Sequence, residues 1–276
     1  ALVKKLGVKR MKPILTAMKI RGMSLYTKPT TGHDMPTHVG QIGKRHKTGG
    51  NGNLRAAVFG VNDGLVSNAS LIMGVAGAAA DAKIIVLTGV AGLIAGALSM
   101  ASGEYVSVRS QREMYEYQIG LEADELKEYP EEEAAELALI YTARGMPADE
   151  AKKLADSLIA DPKKALDTLT REELGLNPDE LGSPMGAAVT SFFSFVIGAL
   201  IPLLPFLFAA YFGFTNQASL ITAIILTALS LFGLGATLSL FTGKNSWHGG
   251  LRMLLIGGGA GLIAYFVGKL LGVGLS

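Results

Sequence analysis

A chain of 276 residues, 49% of them apolar, has enough apolar material for a large core, and it carries a net charge of only +2. Its mean hydropathy of +0.36 is high for a water-soluble protein. There is no cysteine, which excludes disulfides and thiolate metal sites.

The small net charge hides two opposed blocks. Residues 1–55 hold twelve Lys and Arg against Asp34 alone, a charge of +11. Residues 1–53 read as a basic, flexible tail with clusters at Lys4-Lys5, Lys9-Arg10-Lys12 and Lys44-Arg45-His46-Lys47. Contact with anionic lipid heads is the simple expectation for such clusters. No aromatic platform accompanies them, so no nucleic-acid partner is expected. Nor is a secretory signal expected, because no apolar run of about 7–15 residues follows the early lysines.

Two nearly uncharged segments, at 54–80 and 84–108, come next. Each exceeds the roughly 20 residues that a helix needs to cross a bilayer. Asp81–Lys83 is a tight hairpin between them. The second segment has no breaker at its far end, so its helix is predicted to run on out of the membrane as a stalk to about Lys127. Residues 109–183 form the acidic segment. Twenty of the 23 Asp and Glu lie between Glu104 and Glu180, beside nine basic residues, a charge of −11. Pro130, followed by three glutamates, starts a helix to about Arg144, since Pro at the first turn and acids near the N-terminus suit a helix start. Gly145-Met146-Pro147 ends it, a third helix covers about 148–159, and a fourth runs from Asp161-Pro162 to Glu173 before Gly175. Three further apolar spans follow at 185–212, 217–241 and 247–271 within residues 184–276, with Pro202 and Pro205 expected to disturb the first of them.

The chain is therefore read as an all-α integral membrane protein. It has five transmembrane helices and a small helical bundle between the second and third. An odd number of spans places 23 of the 25 basic residues on the side of the N-terminus and the acidic domain. By the positive-inside rule that side is cytoplasmic.

Two sets of residues carry chemistry. Glu113/Glu116, Glu122/Glu125 and Glu133/Glu136 are Glu-x-x-Glu pairs on predicted helices, and residues three apart share a face. A solvated acidic face is the plain reading of any one pair. Three pairs beside a membrane exit point to a cation site of carboxylate oxygens, suited to Fe²⁺, Mn²⁺, Mg²⁺ or Ca²⁺ rather than Cu⁺. Within the spans, Asp63 is the one deeply placed acid, and an ionisable group in hydrocarbon is a functional candidate by default. Met100, on the antiparallel second span, falls at about the same depth. A carboxylate and a thioether at one level suit a borderline transition ion. Glu104 is one turn nearer the acidic domain and is placed to pass an ion between the two. Gly60/Gly64, Gly92/Gly96 and Gly257/Gly261 read as close helix-packing pairs.

Leu54-Arg55-Ala56-Ala57-Val58-Phe59-Gly60-Val61-Asn62-Asp63-Gly64, Ala97-Leu98-Ser99-Met100 and Glu173-Leu174-Gly175-Leu176 together resemble the vacuolar iron transporter family in its bacterial-type form. The resemblance runs from Leu54 to the C-terminus. It implies five spans, a homodimer with the ion path at the dimer interface, and proton-coupled export of Fe²⁺, with Mn²⁺ as a second ion, from the cytosol. It implies transport positions at Asp63 and Met100 and cytoplasmic metal-binding positions at Glu122, Glu125, Glu133, Glu136 and Glu173, with Glu113 and Glu116 close by. It implies the cell membrane of a bacterium or a vacuolar-type membrane of a eukaryote. The chain departs from plant-type members at Ala56 and Gly92, where they carry acids, and at Leu169, where they carry a Met ligand. Glu104 is the candidate replacement for the second acid. No resident cofactor is expected, and no enzymatic activity. A ferritin-like di-iron oxidase needs Glu-x-x-His pairs, whereas the four His are His33, His38, His46 and His248, outside the acidic helices. A membrane adaptor whose acidic bundle binds a basic partner gives no reason for Asp63.

Overall fold

The computed structural model describes residues 52–178, 181–209 and 213–274. The basic tail, up to residue 51, and the end of the third expected span lie outside the described residues. Among the described residues there are eight helices and no strand. They are α1 Gly52–Gly77, α2 Ala82–Glu128, α3 Pro130–Ala143, α4 Ala148–Ile159, α5 Pro162–Glu172, α6 Pro184–Leu207, α7 Asn216–Thr242 and α8 Ser246–Gly274. Five of them, α1, α2, α6, α7 and α8, are long and apolar enough to cross a membrane. The protein is an all-α integral membrane protein.

Local chemistry sets the helix ends. Asp81 caps α2, its carboxylate accepting from the amide of Ile84 at 2.9 Å. Ser183 and Thr215 cap α6 and α7 in the same way. Nothing stops α2 for 47 residues, which at 1.5 Å per residue is about 70 Å. A hydrocarbon core is only about 30 Å thick, so roughly half of α2 stands outside it. Helix α6 passes through Pro202 and Pro205 without ending.

Helix α1 is the hub of the membrane part and packs against α2, α6, α7 and α8. Lipid offers no hydrophobic gain for helix contact, so close backbone approach and dispersion must hold the spans together. The α1–α6 crossing shows this directly. A Cβ added at Gly60 would stand 2.7 Å from Ser194 Cβ, one at Gly64 would strike the carbonyl of Phe195, and one at Gly198 would strike that of Val61. The resulting core groups Ala97, Phe195 and Ala199, and deeper down Ile72, Ile85, Leu203 and Phe206.

The acidic bundle is made by the far end of α2 with α3, α4 and α5. Leu137, Ala155 and Leu169 are fully buried at its centre, flanked by Leu126, Tyr141, Leu158 and Ile159. Gly145, at φ 99°, turns the chain between α3 and α4, a conformation that costs residues with a Cβ but not glycine.

Candidate functional site: a carboxylate cluster and an intramembrane cavity

Three of the glutamates meet above the bundle core. Each rides one helical turn from a core leucine: Glu122 from Leu126 on α2, Glu133 from Leu137 on α3, and Glu173 from Leu169 at the end of α5. Residues four apart lie on one face, so packing the leucines draws the carboxylates together. Glu173 follows the last turn of α5. Its amide donates to the Leu169 carbonyl at 2.9 Å, and Leu176 N–H donates to Thr170 O at 2.9 Å across Gly175, which has φ 64°. That closure holds Glu173 over the site.

One ligand oxygen from each of Glu122, Glu133 and Glu173 lies within 4.8 Å of the others. A point equidistant from the corners of a triangle with that edge is at most about 2.8 Å from each, close to the 2.0–2.6 Å of Mg²⁺ and Ca²⁺ bonds to oxygen. Glu122 and Glu133 are buried, at 3% and 6% exposure, and Glu122 Oε1 and Glu133 Oε2 have no hydrogen-bond partner. Buried orphan oxygens are costly, and a cation satisfies them. Among the described residues no ion pair reaches any of the three. Burial, then the charges of Glu173 and Glu133, push Glu122 up to about 8, with a hydrogen bond to Glu133 acting in the same sense. Glu133 is also raised, by burial first, although that hydrogen bond pulls the other way. Burial and then Glu136, Glu133 and Glu125 raise Glu173.

The other sequence candidates sit around this group. Glu125 and Glu136 are exposed and act on the cluster through their charge. Glu113 and Glu116 stand apart on the stalk, each paired one turn back at 2.6 Å, with Arg109 and Arg112. Leu169 is buried in the bundle core with Leu137 and Ala155.

The second site is a cavity of about 250 Å³ between α1 and α2. Helix α1 contributes Asp63, Ser67, Asn68 and Leu71, at i, i+4, i+5 and i+8, one helix face. Helix α2 contributes Gly92, Gly96, Ser99 and Met100, again one face, and Phe195 of α6 forms the back wall. Asp63 and Met100 therefore share one cavity, while Glu104 does not line it. Ser67 donates its hydroxyl to the Asp63 carbonyl at 2.5 Å. Arg55 is turned from Asp63 to Phe59, 5.7 Å above the ring centre. Sequence reasoning did not single out Asn68. The signal available in the sequence was an amide five residues after Asp63 on a glycine-rich span.

The VIT family model matches residues 54–269. Similar curated proteins include vacuolar iron transporter 1 of Oryza sativa subsp. japonica, 31% identical over 248 residues, 90% of this chain and 95% of that protein. A vacuolar iron transporter of Centaurea cyanus is 32% identical over 226 residues, 82% of this chain and 90% of that one. One of Acanthamoeba castellanii is 37% identical over 228 residues, 82% and 81% of the two chains. With five membrane-length helices, an acidic bundle and matches of this extent, the chain belongs to the vacuolar iron transporter family.

Proposed function

We propose that this protein moves Fe²⁺, and Mn²⁺ with it, out of the cytosol across the membrane, with the carboxylate cluster capturing the ion. The observation that carries this reading is continuity. Helix α2 supplies Glu122 to the cluster and Met100 to the cavity wall, 22 residues or about 33 Å apart along one unbroken helix. The cluster offers oxygens alone, which suit hard and borderline divalent ions. The cavity adds a thioether, which favours the softer transition ions over Mg²⁺ and Ca²⁺. The four regions, tail, hairpin of spans, acidic bundle and three-span half, divide the labour as tether, pathway, receptor and scaffold.

Positive charge concentrated on the side of the N-terminus and the bundle supports a cytoplasmic location for both. Carboxyls raised by burial and by one another couple metal capture to proton release at the cluster, a condition for exchanging metal against protons. Asp63 is exposed in a single chain although it lies within a span. A lipid-facing acid costs about 2.5–3.5 kcal/mol on insertion scales. A second copy laid over α1 and α2 removes that cost, which supports a homodimer with the cavity at its interface.

The test is flux through purified protein in liposomes. Wild-type protein is expected to carry Fe²⁺ and Mn²⁺ and to move protons in the opposite sense. Asp63→Ala is expected to abolish flux while metal still binds the bundle. Near-normal flux in Asp63→Ala would sink the assignment.

A further inference from the structure

Asn68 is 2% exposed and lies in the wall of the α1–α2 cavity. Its Nδ2 donates to the carbonyl of Ala199 on α6 at 2.7 Å. A carbonyl only accepts, so this bond fixes the amide orientation and leaves Oδ1 as the free end. Oδ1 is buried and has no hydrogen-bond partner. It points towards Gly92, another wall residue: a Cβ added there would stand 3.1 Å from Oδ1. Glycine at 92 thus leaves space beside the oxygen that a side chain would take, and the bond to Ala199 keeps it aimed.

From these observations we infer that Asn68 Oδ1 is a second ligand station for the transported divalent cation, roughly 7.5 Å along the helix axis beyond Asp63. The inference rests on the transport reading above. Because α1 and α2 are antiparallel and α2 runs from the cavity to the acidic bundle, Asp63 and Met100 form the bundle-proximal end and Asn68 with Gly92 the far end. An ion held by a carboxylate and a thioether needs an oxygen ahead of it to leave. A neutral amide oxygen binds more weakly than a carboxylate, so it accepts the ion without trapping it, as conduction through successive sites requires. The bond to Ala199 makes the amide rigid, so little ordering is lost when the ion arrives.

The test uses full-length protein in liposomes and compares Mn²⁺ with the softer Cd²⁺. Asn68→Leu is expected to lower Mn²⁺ flux on the order of tenfold. Asn68→Met puts sulfur in place of oxygen and is expected to lower Mn²⁺ flux while sparing Cd²⁺ flux. Gly92→Ala keeps the Asn68 side chain and sets a methyl against Oδ1, displacing the tip of Leu71 and pressing on Oδ1 itself; it is expected to slow Mn²⁺ in the same sense. If both ions slow equally in Asn68→Met, or Gly92→Ala carries Mn²⁺ at the wild-type rate, Asn68 merely ties α1 to α6 and the inference fails while transport stands. Wild-type vesicles that move no metal overturn the transport reading and this inference with it.

Discussion

Proton competition at the carboxylate cluster gives a quantitative handle on metal capture. Glu122 is pushed up to about 8 by burial and by Glu173 and Glu133. At pH 7 roughly one Glu122 in eleven is then ionised, and at pH 6 roughly one in a hundred. A cation must displace that proton, so Glu122 alone makes affinity fall about tenfold for each pH unit below 8. Glu133 and Glu173 are raised in the same sense and steepen the fall. The sign for the metal-free protein is opposite. A raised carboxyl binds more protons folded than unfolded, so its stabilisation is complete below the unfolded value of 4.5 and is lost as pH rises through about 8. The assay is titration calorimetry of full-length Asp63→Ala protein with Mn²⁺ between pH 6 and 8, in buffers of different ionisation heat. This variant leaves the bundle as the site observed. Affinity should rise with pH and protons should be released on binding. Glu122→Gln should weaken binding on the order of tenfold or more and release fewer protons. It should also protect the metal-free bundle from hydrogen exchange at pH 8. Binding independent of pH, with no proton released, would refute the reasoning.

Further outcomes follow from the spans and the stalk. Met100→Leu keeps volume and removes the sulfur, so packing should survive while Fe²⁺ flux falls further than any Mg²⁺ flux; equal slowing of all ions would make Met100 a packing residue. Gly64→Val drives side-chain atoms into the carbonyl of Phe195 and should destabilise the fold by about 1–3 kcal/mol, seen as a lower melting temperature; an unchanged melt would mean that α1 and α6 are not held by close approach. Glu113→Gln and Glu116→Gln remove exposed pairs with Arg109 and Arg112 and should leave Mn²⁺ affinity within about twofold, since exposed pairs contribute little. A large loss in either would draw the stalk into the metal site.

Helix type and extent were written locally in this chain. Apolar runs longer than a bilayer, Pro130 at a helix start, Gly145-Met146-Pro147 and Asp161-Pro162 at breaks act through neighbours in sequence, and the helices appear where those signals place them. The level of α1 against α2 was also legible, because the two helices are joined by a short hairpin and residues at matched distances from it come level. Asp63 and Met100 share a cavity for that reason. Which face of each acidic helix turns inward was not local. Glu122/Glu125 and Glu133/Glu136 have identical spacing, and only the packing of Leu126, Leu137 and Leu169 decides that Glu122 and Glu133 are buried while Glu125 and Glu136 remain outside. Glu173 joins them from 40 residues beyond Glu133 and 51 beyond Glu122 because the α5 turn closes over Gly175. Asn68 needed still more of the fold. Its free oxygen exists only because a carbonyl on α6, 131 residues later, binds the other end of the amide. Helical periodicity states which residues share a face; the rotation of one helix against another, set by long-range packing, decides what that face meets.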